Sequence, residues 1–453
     1  MEMNMTRGNP WRLILRFMLP VFLGNVFYQC YNITDTIIVG RFLGVEALAA
    51  VGATGSISFL IFGFVNGMTM GFTIPVAQKF GEGNEEQMKR YVGSALLLAA
   101  VIVAVMTVCS VLGMDWLLTM MRAPEDIFHL SKEYITIICG GMVFSVLYSL
   151  LSGLLRAIGN SKVPLYFLII ASVINVVLDI VFIAICDMGV AGAAYATVVS
   201  QMVSGILCLI YILRKVPALQ LEKKHFRFDP MCCGKQIKLG IPMALQFSIT
   251  AFGTIVTQTA LNTFGSTIVA SYVVAGKIEQ IINQPYDALG VTIATYSAQN
   301  WGVRDLKRLQ KGCRIANTIS VVYSVLIFLI INPLVPYLVR LFVSGDAVAI
   351  TKYARIYVFI GTSFFIPLGM IMIFRNMLQS CDFALLPMLG GAVELAGRVG
   401  AAFFAVHFHS YVGVCFSNAS AWFFAGNYLM IAYLVVMGRI KRRQAAVGID
   451  THG

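Results

Sequence analysis

Seven ionisable residues lie inside long apolar stretches of this 453-residue chain: Asp35, Asp179, Lys277, Glu279, Asp287, Glu394 and Arg398. A charge at hydrocarbon depth is costly and persists where it binds something or meets an opposite charge. Asp35 stands about 8 Å from the end of its apolar run, and Asp179 about 10 Å from the end of another on the same side. Asn175 is one turn deeper than Asp179 on the same helix face, and Thr197 lies about 10 Å into the following run. Two carboxylates, an amide and a hydroxyl from three helices can therefore meet at one level. Hard oxygen ligands of this kind suit Na⁺, and two carboxylates held close together also suit a proton carrier. Asp35, Asn175, Asp179 and Thr197 are the candidate cation- or proton-coupling set.

The remaining groups divide by neighbour. Glu394 and Arg398 are spaced i,i+4, and a structural ion pair is favoured over a substrate site. Glu279 is near the middle of its run and is a candidate cation or substrate contact, or a partner for Lys277 or Arg398. Asp287, two residues after Pro285, is a second candidate for lining a cavity. Pro20, Pro242, Pro285 and Pro367 mark kinks, static or hinged. His407 and His409 have no third ligand nearby, so no metal site is expected there. The ten cysteines include no CxxC spacing and read as small apolar core residues. No GxxxxGK[ST], HExxH or GxSxG motif occurs, which argues against ATP as the driving force and against an intramembrane enzyme. No cofactor is expected beyond H⁺ or Na⁺.

Twelve apolar runs must position these groups, at roughly 14–40, 47–74, 92–114, 134–155, 164–186, 190–213, 237–263, 268–298, 315–339, 354–378, 387–407 and 411–437. The composition agrees: 58% of residues are apolar, only 12% are charged, and mean hydropathy is +0.82. A soluble chain carries about 25% charged residues. The excess apolar surface therefore has to face lipid, which excludes a soluble α/β enzyme and a disulfide scaffold. The first run is too long for a signal peptide and has no small-residue cleavage site after it, so it is expected to stay attached.

The net charge of +12 is a matter of topology. Of the 33 Lys and Arg, Arg41, Arg122, Lys132, Arg340, Lys352 and Arg355 lie on one side, and Lys277 and Arg398 lie within runs. All others, Arg375 included, are assigned to the opposite side. By the positive-inside rule that side is cytoplasmic, with both termini there, and no nucleic-acid partner is implied. The longest hydrophilic connection, 214–238, separates residues 1–213 from 239–453, six runs from six. The expected organisation is an N-terminal six-helix bundle, a cytoplasmic linker and a C-terminal six-helix bundle.

The halves repeat one another. A shift of 221 residues places Ala77-Gln78-Lys79-Phe80-Gly81 on Ala298-Gln299-Asn300-Trp301-Gly302, and Gly44 on Gly265. Shifts of 222 and 223 place Pro20 on Pro242 and Pro164 on Pro387. An even number of spans per half makes these parallel repeats, an arrangement expected of an alternating-access transporter.

Three stretches resemble one transporter family. Pro20 to Ala50 (PVFLGNVFYQCYNITDTIIVGRFLGVEALAA) resembles the first span and loop of the MATE multidrug and toxin extrusion transporters. Arg156 to Pro164, followed by Asn175-Val-Val-Leu-Asp179, resembles their fifth span, and the repeated AQ-x-[FW]-G segment is similar to theirs. The resemblance implies an all-α membrane protein of twelve helices in two bundles around a central cavity. It implies antiport of organic cations or other amphipathic drugs against H⁺ or Na⁺. In the DinF-like branch an Asp on span one, an Asn and Asp on span five and a Thr on span six form the ion site. Asp35, Asn175, Asp179 and Thr197 match these, with Na⁺ as one candidate occupant, and Pro20 matches the proline at which span one bends. The NorM-like acids of spans seven and ten are missing: Thr250 stands at the first position and span ten has none. The expectation is a multi-pass monomer in a bacterial inner membrane. It would contact membrane lipid and take a small amphipathic or cationic substrate. The alternative is a flippase for lipid-linked saccharides or other lipid-like substrates.

Overall fold

The computed structural model describes residues 2–120, 125–342 and 347–446, and Arg122 lies outside them. Helices α1 (Pro10–Ala53), α2 (Gly55–Glu82), α3 (Glu85–Leu112), α4 (Met114–Met120), α5 (Glu125–Gly140), α6 (Met142–Ala157), α7 (Lys162–Asp179) and α8 (Gly189–Lys215) make up the first half. The second half holds α9 (Pro230–Leu261), α10 (Ser266–Ile282), α11 (Gln284–Gly302), α12 (Leu306–Phe342), α13 (Ala347–Ser363), α14 (Phe365–Ser380), α15 (Leu385–His407) and α16 (Tyr411–Ala446). No strand occurs among the described residues. Helix alone suits a chain in lipid, because every backbone hydrogen bond closes within the segment.

Nine stretches among the described residues are long and apolar enough to cross a membrane. Two bent pairs, α5–α6 and α13–α14, bring the number to eleven. The twelfth expected run, 268–298, is divided between α10 and α11 at Asn283. It carries Lys277, Glu279, Gln280, Asn283, Gln284 and Asp287, which makes it too polar to stand out by hydropathy. On α3, Val101, Val105, Val108 and Leu112 form an exposed apolar stripe at helical spacing, a surface that only lipid covers without cost.

The backbone repeats as the sequence does. Gly44 (φ 86°, ψ −171°) and Gly265 (φ 85°, ψ 164°) take the same conformation, one open essentially to glycine alone. Left-handed residues recur in register: Gly83 with Arg304, Gly159 with Asp382, and Asp187 with His409. These pairs are 221, 223 and 222 residues apart, the shifts already seen in the side chains. The two bent spans correspond as well, α5–α6 turning by 47° and α13–α14 by 48°. The prolines differ in role. Pro20 and Pro242 sit within continuous helices, whereas Pro285 and Pro367 stand in the first turns of α11 and α14, just after breaks.

The chain divides into two compact units, Met1–Ala251 with Ala294–Leu309, and Phe252–Ile293 with Gln310–Gly453. Within the first, α2 lies against α9 along a stripe of glycines. Gly63 faces Phe247, Gly67 faces the backbone of Ala244, and Gly71 faces that of Gly240. A Cβ at Gly67 would stand 2.7 Å from the Ala244 Cα, so only glycine lets the helices approach this closely. In the second unit α14, α15 and α16 pack together, as do α10 and α13.

Gly265 tests the backbone reading cleanly, because nothing lies within 4 Å of where its Cβ would be. Gly265→Ala is expected to cost about 1–3 kcal/mol through φ alone. Gly438→Ala, equally open but without a positive φ, should not. Thermal melting of the purified variants in one detergent makes the comparison, and equal melting temperatures would refute it.

Candidate functional site

The four oxygen- and amide-bearing residues singled out on three apolar runs come from α1, α7 and α8, which pack on one another in the first unit. Asn175 and Asp179 are fully buried on α7, while Asp35 on α1 and Thr197 on α8 are half-buried. Asp35 and Asp179 adjoin each other. Thr197 reaches the group through Tyr31, one turn before Asp35 on α1, whose hydroxyl lies 3.4 Å from the Thr197 Oγ1. Tyr134 of α5 adjoins both acids. The structure thus draws the expected residues together and adds two phenols. No spacing rule points to Tyr31 or Tyr134, since tyrosine is common in apolar helices and Tyr134 comes from a fourth helix.

Polar satisfaction marks the site. Asp35 Oδ1, both oxygens of Asp179 and both amide atoms of Asn175 are buried without a hydrogen-bond partner. Buried polar atoms in folded proteins are almost always paired, and four of these five are acceptor oxygens, which a proton or a cation would satisfy. These oxygens fit either a proton or a small hard cation such as Na⁺. Among the described residues, no group of three or more His, Cys, Asp or Glu could hold a metal. An all-oxygen set with two acids points to a weakly held ion.

Two further features border the acids. Toward Gly44, a cluster of Ile38, Val39, Ala47, Ile183, Val190 and Ala193 packs about one turn beyond them, with Leu130, Tyr134 and Val176 around it. This apolar layer separates the acids from that end of the bundle. Asp179 is also the last α-helical residue of α7, and Ile180–Ile185 continue as a π-helix. Such segments, with one extra residue per turn, are frequent at functional sites and displace the side chains beyond them.

The other candidates lie in the second unit. Glu279 on α10 accepts a hydrogen bond from the Tyr357 hydroxyl, and Asn418 Nδ2 donates to that hydroxyl at 3.2 Å. The Tyr272 ring stacks edge-on against Tyr357 at 4.6 Å, and Asn283 adjoins Glu279. Lys277, read from sequence as lying within the span and as a partner for Glu279, is exposed, because two positions along a helix turn it to another face. Asp287 is exposed in the first turn of α11 and adjoins Arg375.

The Glu394–Arg398 pair forms as the i,i+4 spacing suggests, with Arg398 Nη2 donating to Glu394 Oε1 at 2.8 Å. Arg375 completes it, with its Nη2 donating to Glu394 Oε2 at 3.0 Å. The sequence count placed Arg375 with the basic loops. It stands instead inside α14, its side chain 15% exposed and turned onto α15. One carboxylate thus bridges two guanidiniums, an arrangement that ties α14 to α15 and meets the carboxylate's charge inside the protein. Glu394→Gln leaves the two cations facing each other and should destabilise the second unit by about 3–5 kcal/mol. Asp35→Asn, which relieves a like-charge contact, should leave the melting temperature near that of the parent. A Glu394→Gln protein that melts with the parent would show that the triad is not holding α14 to α15.

The chain as a whole is similar to known proteins. The family model described as MatE matches residues 20–181 and 242–395. The "Probable multidrug resistance protein YoeA" of Bacillus subtilis (strain 168) is 30% identical over 334 residues, covering 72% of this chain and 72% of that protein. A protein named "FAD transporter" from Shewanella oneidensis is 24% identical over 375 residues, 82% of each chain. Among solved structures, a MATE crystallised in complex with MaL6 superposes with a TM-score of 0.91 at 22% identity. That match covers 97% of this chain and 99% of the other.

Proposed function

The chain belongs to the MatE family of transporters, and from that premise we propose that it is a secondary antiporter that exports amphipathic or cationic compounds against H⁺ or Na⁺. The observation that carries this reading is the acid pair, Asp35 beside Asp179, with buried polar atoms that no protein group satisfies. A like-charged pair at membrane depth binds a cation in one conformation and is indifferent to it in another, which is what coupling to an ion gradient requires.

In the proposed cycle the coupling ion arrives from outside, once the layer around Ile38, Val39 and Ile183 opens. A proton would be shared between the two carboxyls, while Na⁺ would draw on Asp35, Asp179, the Asn175 amide oxygen and the Thr197 hydroxyl. Occupancy halves the charge of the pair and removes the repulsion between the two carboxylates, which lets α1, α7 and α8 close on it. Substrate leaves outward as the ion is taken up, and release of the ion to the cytoplasm resets the site. Pro20 is the proposed bending point of α1, where the missing backbone hydrogen bond lowers the cost of a change in curvature. Glu279 and Asp287 are proposed contacts for substrate or a second ion. Glu279 is the stronger, because it is buried at mid-span and held by a tyrosine that can follow its protonation. Both termini are proposed to be cytoplasmic, on the basic-loop side.

The test is efflux from proteoliposomes loaded with a fluorescent cationic dye, under an imposed pH gradient and then an imposed Na⁺ gradient. Parent protein is expected to move dye under one of them. Asp35→Asn and Asp179→Asn should each fall to the protein-free rate while remaining folded. Full efflux by Asp35→Asn would remove the acid pair from the mechanism. Because one relative is a FAD transporter, FAD should be run as an anionic cargo alongside the dye. Movement of FAD but not dye would change the substrate class without touching the ion site.

A further inference from the structure

The segment ahead of α1 and the segment ahead of α9 are each held by the opposite repeat, at corresponding places in the chain but through different side chains. All of them lie within the first unit. Ahead of α1, Met5 is fully buried and its N–H donates to Gln299 Oε1 at 2.7 Å. Its carbonyl accepts from Asn300 Nδ2 at 3.3 Å and from Arg308 Nε and Nη2 at 3.0 and 2.9 Å. Arg308 Nη1 reaches the Gly8 carbonyl at 2.8 Å. Gln299, Asn300 and Arg308 belong to α11 and α12 of the second repeat. The same segment touches its own repeat where the Met3 N–H donates to the Ile158 carbonyl at 3.1 Å.

Residues 222–229, ahead of α9, correspond to residues 1–8 by the 221-residue shift. They lie on α3, the counterpart of α12. The His225 carbonyl presses on Gly93, where no Cβ would fit. His225 Nε2 and Lys224 Nζ approach Glu86 Oε2 at 3.4 and 3.5 Å. Just inside α9, Gln236 Nε2 donates to the carbonyls of Phe72 and Tyr91, and Lys235 Nζ donates to Gln78 Oε1 at 2.6 Å. The receiving helices are capped alike, Asn84 accepting from the Gln87 N–H and Asp305 from the Arg308 N–H. Between the two sets, the repeated AQ-x-[FW]-G segments cross. Gly81 faces the Gln299 carbonyl, and Gly302 faces the Gln78 carbonyl. A contact in which each partner presents the same residues to the other is the mark of a two-fold interface.

We propose that residues 3–8 and 222–229 form a reciprocal clasp that locks the basic-loop ends of the two repeats together, and that both must release for the transporter to open on that side. Each arm alone is weak: a few backbone carbonyls on one guanidinium, or one exposed carboxylate beside a histidine and a lysine. Joined across the crossing of α2 and α11, they open as one element, because neither arm can leave while the crossing holds the other in register. The inference rests on alternating access for its meaning in transport, but its test needs neither substrate nor gradient.

The reporters are already in the chain. Cys232 and Cys233 follow the second arm and are buried, and Cys139 and Cys208 are buried elsewhere in the helices. Membranes are treated with a membrane-impermeant maleimide on the basic-loop side, and labelling of each cysteine is followed by peptide mass spectrometry. Arg308→Ala loosens only the first arm. If the arms are coupled, it should speed labelling of Cys233, on the second arm, by about tenfold, the loss expected from one charge-assisted hydrogen-bonding side chain. Glu86→Gln, an exposed substitution on the second arm, should in turn speed amide exchange of the peptide containing Met5. Cys139 and Cys208 must stay unlabelled in both, which separates opening from unfolding. Changes confined to the arm that was altered, with Cys233 unmoved by Arg308→Ala and Met5 unmoved by Glu86→Gln, would overturn the clasp. If Arg308→Ala unfolds, Glu86→Gln decides the matter alone. Loss of dye efflux with unchanged labelling would count against the antiport cycle, not in favour of the clasp.

Discussion

Two carboxyl groups side by side at membrane depth impose a condition that the neighbouring helices have to meet. With both ionised and no water to screen them, their repulsion far exceeds that of the same pair at a surface. A positive charge must therefore come between them, or one must carry a proton. The structure leaves five buried polar atoms around Asp35, Asn175 and Asp179 without protein partners, so the missing charge is not supplied from within. What the protein does supply is position. The Tyr31–Thr197 contact ties α1 to α8, the π-helical turn after Asp179 offsets the end of α7, and the apolar cluster beyond packs α1, α8 and that turn together. The second unit meets a similar burial problem in the opposite way. Glu394 is bonded to both Arg375 and Arg398, so its charge is met by side chains of the protein itself. That contrast, an acid pair without protein cations against a carboxylate bonded to two, is the ground for proposing coupling at the first and a structural role for the second.

Much of this was legible in the sequence, for identifiable reasons. Lipid forces long apolar runs, so most of the spans could be read from hydropathy, and the repeated AQ-x-[FW]-G segments showed the duplication. Acids within such runs are so costly that Asp35 and Asp179 stood out, and helical spacing brought Asn175 along. Other parts were hidden by the same physics. The eighth span was expected as one helix, yet its polar residues accompany a break at Asn283 and divide it into α10 and α11. Arg375 was counted with the basic residues at the ends of the runs. Only packing of α14 on α15 reveals that it faces Glu394. Tyr31 and Tyr134 carry no signal that distinguishes them from other aromatic residues in lipid-facing helices. The Met3–Gly8 segment has neither periodicity nor hydropathy, and its role depends on carbonyl groups, which sequence does not display.

Duplication explains why the corresponding contacts exist, and the departures from it carry the specialisation. Positions that fix backbone conformation are kept in both halves: the glycines at 44 and 265, the left-handed residues at 83 and 304, and the bend in each fourth span. Conformation is what both bundles need in order to fold. Charge is where they part. By the 223-residue shift that relates α7 to α15, Asn175 falls on Arg398 and Asp179 on Ala402. The second repeat has therefore placed a guanidinium where the first keeps an amide beside its acids. A built-in cation held by Glu394 cannot exchange with solvent ions, whereas in the proposed cycle the first repeat takes its cation from outside. Two bundles of common origin thus differ in whether their central charge is covalent or borrowed. A borrowed charge is sensitive to the ion gradient across the membrane and a covalent one is not.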